Sequence, residues 1–223
     1  MPPKIVLYGP ARVPFTEKVR RALLLKGLPF ELREPSGPED YRRWSPETGL
    51  LPVIEIDGER TADSTAILVR LDELFPEPPL LSSDPRTATQ QRQLEDWADE
   101  SFLWYFLKWR RSEQEREERR ARGRGRQAAH WLRAVGAWLR AGGTWERPHT
   151  ALLRQVDDRL LDLTNFLGTR PFFYADAPSM ADLAVYSMLS MLRADVIPGS
   201  QRLMEQRPDL LDYMRRVEAK TGD

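Results

Sequence analysis

The order of elements along this chain of 223 residues predicts an α/β domain followed by an all-α helical bundle domain. Three observations carry that expectation. Short β-branched runs alternate with helical patterns in the first third of the chain. A proline-rich break, Pro76-Glu77-Pro78-Pro79, then ends the alternation. Everything after Asp84-Pro85 has helical periodicity and no convincing strand. The expected division is 1–76 for the α/β domain, 77–85 for a linker and 86–223 for the helical domain.

Taken in order, Lys4 to Tyr8 reads as a buried strand. Pro14 opens a helix whose Phe15, Val19, Ala22, Leu23 and Lys26 fall at helical spacing before Gly27 ends it. Leu28 to Arg33 is a second strand. Tyr41, Trp44 and Pro46 sit in a short, poorly periodic stretch. Pro52 to Ile56 and Glu59 to Thr61 form a hairpin across Asp57-Gly58, a strong two-residue turn signal, and a helix runs from Asp63 to about Phe75. The succession βαβ, loose helix, ββα matches a thioredoxin-like layout. Further helices are expected over 85–112, 118–140, 148–168, 179–192 and 208–219. Ser179-Met180-Ala181-Asp182 reads as a capping box at the head of an apolar helix.

Composition removes several classes of function. Lys plus Arg equal Asp plus Glu at 34 each, so no global basic field exists for nucleic acid. Lys108 to Arg126 holds nine basic and four acidic residues, with Arg122-Gly123-Arg124-Gly125-Arg126 at its end. Glu residues interleaved at i±3 and i±4 read as a solvated, salt-bridged surface rather than a nucleic-acid patch. No apolar run is long enough to span a bilayer, and the N-terminus lacks the pattern of a signal peptide, so a soluble cytoplasmic protein is expected. The chain contains no cysteine, which removes disulfides, thiolate-ligated metals and a protein thiol nucleophile. His130 and His149 are the only imidazoles and neither has a partner at metal-ligand spacing, so no metal is expected.

The chemistry concentrates between Gly49 and Ile67. A cis Leu51-Pro52 bond would turn the backbone N–H and C=O of Leu51 outward, where an extended peptide can pair with them. Asp63 and Ser64, at a helix N-terminus, can hold an amine and a carboxylate; the plainer alternative is a helix cap. This segment resembles the glutathione site of the glutathione transferase superfamily. With the element order, the proline-rich linker and the late capping box, the likeness covers essentially the whole chain. The resemblance implies that Asp63 takes the ammonium of glutathione and Ser64 its γ-glutamyl carboxylate, with Leu51 and Pro52 along the peptide. It also implies glutathione as co-substrate, a small-molecule electrophile as second substrate, a detoxification-type conjugation and a homodimer.

Such enzymes stabilise the thiolate of bound glutathione. Lowering a thiol pKa by two units requires about 2.7 kcal/mol of differential interaction. Where the Ser- and Cys-using classes carry Ser-Pro or Cys-Pro, this chain has Val13-Pro14, and valine has nothing to donate. Tyr8 is the substitute that the resemblance offers, with Arg12 as a neighbouring positive charge or a holder for a substrate carboxylate. Many relatives carry Lys where Leu50 stands; Lys18, Arg43 or Arg12 could compensate. The resemblance also makes Trp104, Tyr105, Lys108 and Trp109 candidate walls of the second-substrate pocket, with core packing as the alternative, and lets Glu100 or Asp99 reach a partner's glutathione. Two competing readings stay open. One is a glutathione-assisted isomerase or lyase, in which Arg12 and Lys108 steer a carboxylate. The other is a non-catalytic binding protein, for which Val13 and Leu50 speak. A Tyr8 hydroxyl pointing into the site argues against the latter, and a buried Tyr8 with no donor near the thiol supports it.

Overall fold

The structure is a computed structural model and describes residues 3–121 and 148–222. Four strands form one mixed sheet in the order β2-β1-β3-β4: β1 (Ile5–Tyr8), β2 (Glu31–Arg33), β3 (Val53–Ile56) and β4 (Glu59–Ala62). β1 runs parallel to β2, through the crossover helix α1 (Pro14–Leu25), and antiparallel to β3. Both central residues of the β3–β4 turn have positive φ, Asp57 at 51° and Gly58 at 92°, the requirement of a type I′ hairpin. The register sets Tyr8 opposite Val53 and Val53 opposite Ala62. The end of β1, the start of β3 and the end of β4 therefore meet at one edge of the sheet. Leu51, Pro52, Asp63 and Ser64 all lie at that edge.

The two faces of the sheet differ. Ile5, Leu7, Ile54 and Ile56 point to α1 and α3 (Ser64–Leu74) and merge with the large core. Val6, Tyr8 and Val53 face α2 (Pro38–Trp44) and close a small separate cluster with Trp44 and Leu51. Period-two alternation sorts the side chains this way.

After the linker come α4 (Pro85–Ala121), α5 (Pro148–Leu167), α6 (Met180–Arg193), α7 (Ser200–Glu205) and α8 (Pro208–Thr221). No helix among the described residues is long and apolar enough to cross a membrane. α4 continues where the sequence suggested a break after residue 112. Its solvent face there is laced by Arg116–Glu113 at 2.7 Å and Arg111–Glu115 at 3.6 Å, pairs that support a helix with little core to pack on. The remainder of the helix expected over 118–140, His130 and the Arg122–Arg126 run lie outside the described residues. The short α7 had no periodic signal because six residues are under two turns.

α6 is the central post of the bundle, buried over most of its length. Its capping box forms: Asp182 Oδ2 accepts from the Ser179 backbone N–H at 2.9 Å and from the Ser179 hydroxyl at 2.8 Å. Asp182 Oδ1 accepts from the Phe173 N–H at 3.0 Å and from the Tyr213 hydroxyl at 3.2 Å. One carboxylate thus ties the helix start, the preceding loop and α8 together. Burial pushes its pKa up, against those donors, which pull it down.

α1 belongs to both halves. One side covers the sheet; the other buries Glu17, Lys18 and Arg21 against the helical half. Arg21 donates to Glu17 Oε1 at 2.7 Å, to the Thr221 hydroxyl at 2.6 Å and to the Tyr186 hydroxyl at 2.8 Å, and Tyr186 in turn donates to Glu218 at 2.9 Å. Lys26 closes the other end by donating to Asp72 and to the carbonyls of Phe75 and Pro78 at 2.6–2.8 Å, which anchors the linker.

Candidate active site

The sheet edge brings together Leu51, Pro52, Asp63 and Ser64. The Leu51-Pro52 peptide is cis, and Pro52 is buried where β3 begins. Asp63 is the N-cap of α3: its side chain accepts from the Ala66 N–H at 3.0 Å, and its own φ is +73°. A non-glycine residue in that region costs of order 1–3 kcal/mol and persists where its surroundings force it. Ser64 follows in the first turn of α3, only 5% exposed. At the end of β1, Gly9 is closed over by α1, since an added Cβ would come within 2.5 Å of Thr16 Oγ1. Val13 caps α1 with no side-chain hydrogen bond, and Pro14 takes the first turn. Among the described residues no side chain is hydrogen-bonded as a cap at the head of α1.

Tyr8 does not serve this edge. Its ring is 3% exposed and packs on Trp44 at 4.9 Å between centroids, while its hydroxyl donates to Glu55 Oε2 at 3.3 Å. Glu55 lies opposite Val6, two positions further into the sheet, so the hydroxyl points away from Pro52. Arg60, bonded to Glu55 at 2.8 Å, holds that carboxyl below its ordinary range and keeps it an acceptor for Tyr8. The expected free phenol donor is thus committed elsewhere by strand parity. Arg12 is exposed on the β1–α1 loop. Lys18 cannot replace the lysine missing at Leu50. Its ammonium is fully buried and donates to Glu95 at 2.5 Å, Asp99 at 2.6 Å and Thr65 Oγ1 at 3.4 Å. Arg43 is largely exposed, paired with Asp40 at 3.3 Å and set over the Trp44 ring. Leu50 itself is 70% exposed.

The helical wall is arranged differently from the expectation. α4 meets the α/β half through Glu95 and Asp99. At about 100° per residue, Trp104 lies roughly 140° round the helix from Asp99, Tyr105 about 120° the other way and Lys108 about 180°. These three turn to α5. Lys108 sits 4.3 Å from the Trp104 ring centroid and donates to Gln155 Oε1 at 3.1 Å, and the buried Tyr105 hydroxyl is 3.5 Å from the Gln155 carbonyl. Trp97, Ser101, Trp104, Tyr105, Gln155 and Arg159 are among the residues lining a cavity of about 610 Å³ there, all from α4 and α5. Trp109 is half-buried against Phe106 at 5.7 Å. The face that α4 shares with Asp99 carries instead Leu103, Phe106 and Arg110, at spacings of i+4, i+7 and i+11. That stripe is readable in the sequence once Asp99 is taken as its anchor; aromatic content alone pointed to the opposite face.

Asp99 was expected only as a contact for a neighbouring molecule, and Glu95 was not singled out. The structure sets both beside the head of α3. The Thr65 hydroxyl donates to Glu95 Oε1 at 2.6 Å, and Glu95 Oε2 is buried with no hydrogen-bond partner among the described residues. Burial pushes the Asp99 carboxyl up to about 6, against the pull of the Lys18 ammonium, with Glu95 and Asp63 adding to the rise.

The family models for the glutathione S-transferase N-terminal and C-terminal domains match residues 7–79 and 156–217. The chain belongs to the glutathione transferase superfamily. Glutathione S-transferase Z2 of Arabidopsis thaliana is 39% identical over 88 residues, 36% of this chain and 39% of that protein. Maleylacetoacetate isomerase of Pseudomonas aeruginosa is 35% identical over 99 residues, 39% of this chain and 44% of that protein. The chain thus spans under half the length of these curated relatives in the matched region. A glutathione transferase from Methylobacterium radiotolerans, solved with glutathione sulfonate, superposes with a TM-score of 0.65 at 26% identity, over 97% of this chain and 91% of that one. The α/β half and helical half of this superfamily member are therefore the architecture expected of it.

Proposed function

We propose that this superfamily member binds glutathione along the sheet edge and conjugates it to a small electrophile. The observation that carries the reading is Asp63, held at φ +73° as the cap of α3 beside the cis Leu51-Pro52 peptide. A plain helix cap has no need of that backbone. Asp63 takes the ligand's ammonium and Ser64 its carboxylate, assisted by the positive end of α3. Leu51 pairs with the peptide. The thiolate lies at the start of α1, where unopposed amides and the helix dipole replace the missing side-chain donor. The electrophile faces Leu103, Phe106 and Arg110. The division at 77–85, a cytoplasmic homodimer and a role in detoxification complete this reading. The half-exposed Trp104 and the exposed Leu107 on α4 offer apolar surface for a second copy.

A second reading rests on the committed Tyr8 hydroxyl together with Val13: a protein that binds glutathione without activating it. Calorimetric titration of reduced glutathione with proton counting separates the two. Binding that releases a thiol proton near neutrality supports transfer. Binding without that release supports the non-catalytic protein. No binding at millimolar glutathione rejects both.

A further inference from the structure

Resting on the reading of Asp63 and Ser64 as the γ-glutamyl subsite, we propose that the buried Lys18–Glu95–Asp99 cluster makes ligand binding proton-linked. In this scheme Asp99 releases its proton to solvent as the ammonium of glutathione enters beside it.

The case is a count of charges and donors. Lys18 is the cation facing Asp99 from α1. Asp63 faces it from the head of α3, and Glu95 faces it from its own helix, one turn away. Each of the three N–H bonds of Lys18 already has an acceptor, in Thr65, Glu95 and Asp99. With both of its carboxylates ionised the cluster holds one negative charge more than Lys18 balances, in a place where Glu95 is fully buried and has an oxygen without a partner among the described residues. Two carboxylates that share one cation away from water do not both stay ionised; one keeps a proton. Glu95 is closed to solvent, whereas 23% of the Asp99 side chain is open. Asp99 is therefore the group that exchanges its proton, and it does so near pH 6, where burial has placed it. An ammonium held between Asp63 and Asp99 supplies the missing positive charge and displaces that proton. The proton and the ligand amine compete for one carboxylate.

The probe is S-methylglutathione, which has the ammonium and no thiol to ionise. It is titrated calorimetrically into the full chain at about pH 5 and about pH 7.5, in buffers of different ionisation enthalpy. Expected are close to one proton released per ligand at about pH 5, about half a proton near pH 6 and almost none at about pH 7.5, with roughly tenfold tighter binding at the higher pH. Asp99→Asn abolishes the release and flattens the pH dependence. Glu95→Gln leaves Lys18 to balance Asp99 alone, so the midpoint of the release moves to lower pH and less proton is released at about pH 5. Binding of equal strength at both pH values with no proton exchange overturns the proposal while leaving the glutathione site intact, and so does release that survives Asp99→Asn. No binding of glutathione or its S-methyl derivative at either pH overturns the site itself. Carboxyl NMR of the ligand-free protein gives an independent answer: an Asp99 that titrates in the ordinary aspartate range rejects the linkage.

Discussion

At the scale of single residues, Asp63 and Tyr8 give opposed expectations. Asp63→Gly removes a carboxylate and relaxes a strained backbone at once. Lifting a positive-φ penalty of order 1–3 kcal/mol outweighs the few tenths lost when glycine replaces a good cap. Denaturant unfolding should thus show unchanged or slightly raised stability, while glutathione affinity falls at least about tenfold for the lost charge-assisted contact. Unchanged affinity would return Asp63 to the role of a helix cap. For Tyr8→Phe, the 3.3 Å bond to Glu55 is lost together with the hydroxyl's polar contacts to Arg33 and Arg60, so stability should drop by about 0.5–1.5 kcal/mol. The thiol pKa of bound glutathione should not move; a rise of a unit or more would restore Tyr8 as the donor.

At the scale of elements, the sequence was legible wherever local chemistry decides. Asp57-Gly58 can hardly be anything but a hairpin turn, Pro14 and Gly27 bracket α1, and Ser179 with Asp182 announces α6. What was hidden depends on which way an element faces. Tyr8 stands at the end of its strand, yet parity turns it under Trp44. Lys18 looks like any lysine on an amphipathic helix until α4 is laid against it. Trp104 does line a cavity, but with α5, because the phase of α4 is set by the Glu95 and Asp99 that face the α/β half. The capping box supplies a test of the element it starts. Ser179→Ala should lower stability by about 1 kcal/mol. Asp182→Ala leaves three buried donor groups on Ser179 and Phe173 without their acceptor, while the Tyr213 hydroxyl keeps the backbone carbonyl of residue 182 at 3.1 Å, and should cost about 3 kcal/mol, read as a shift in the denaturant midpoint.

At the scale of the whole molecule, α1 couples the two halves through buried charge. Arg21→Ala removes the guanidinium that joins Glu17 to Tyr186 and Thr221; Glu17 keeps Arg20 at 2.7 Å and Tyr186 keeps Glu218, so global stability should fall by about 1.5–3 kcal/mol, with both halves melting in one transition. The pH dependence has a defined sign. Asp99 titrates near 6 in the folded chain against an ordinary value of 3.8, so the folded state holds the extra proton between those limits. Its contribution to stability is therefore fullest at the acid end and is lost as pH rises through about 6. The difference in melting temperature between the parent chain and Asp99→Asn, followed across that range, should show this slope, and saturating glutathione should remove it.

The same helix limits how such a protein can be recombined. A chimera that takes its first half from one relative and its second from another would bring together a Lys18 and an Arg21 selected against different neighbours. Each would then sit in a dry interface facing groups that do not match its charge. Glu95 and Asp99 would have to travel with Lys18, and Tyr186 and Thr221 with Arg21. The natural seam for exchange is thus not the proline-rich linker but the outline of this interface, which runs through both halves.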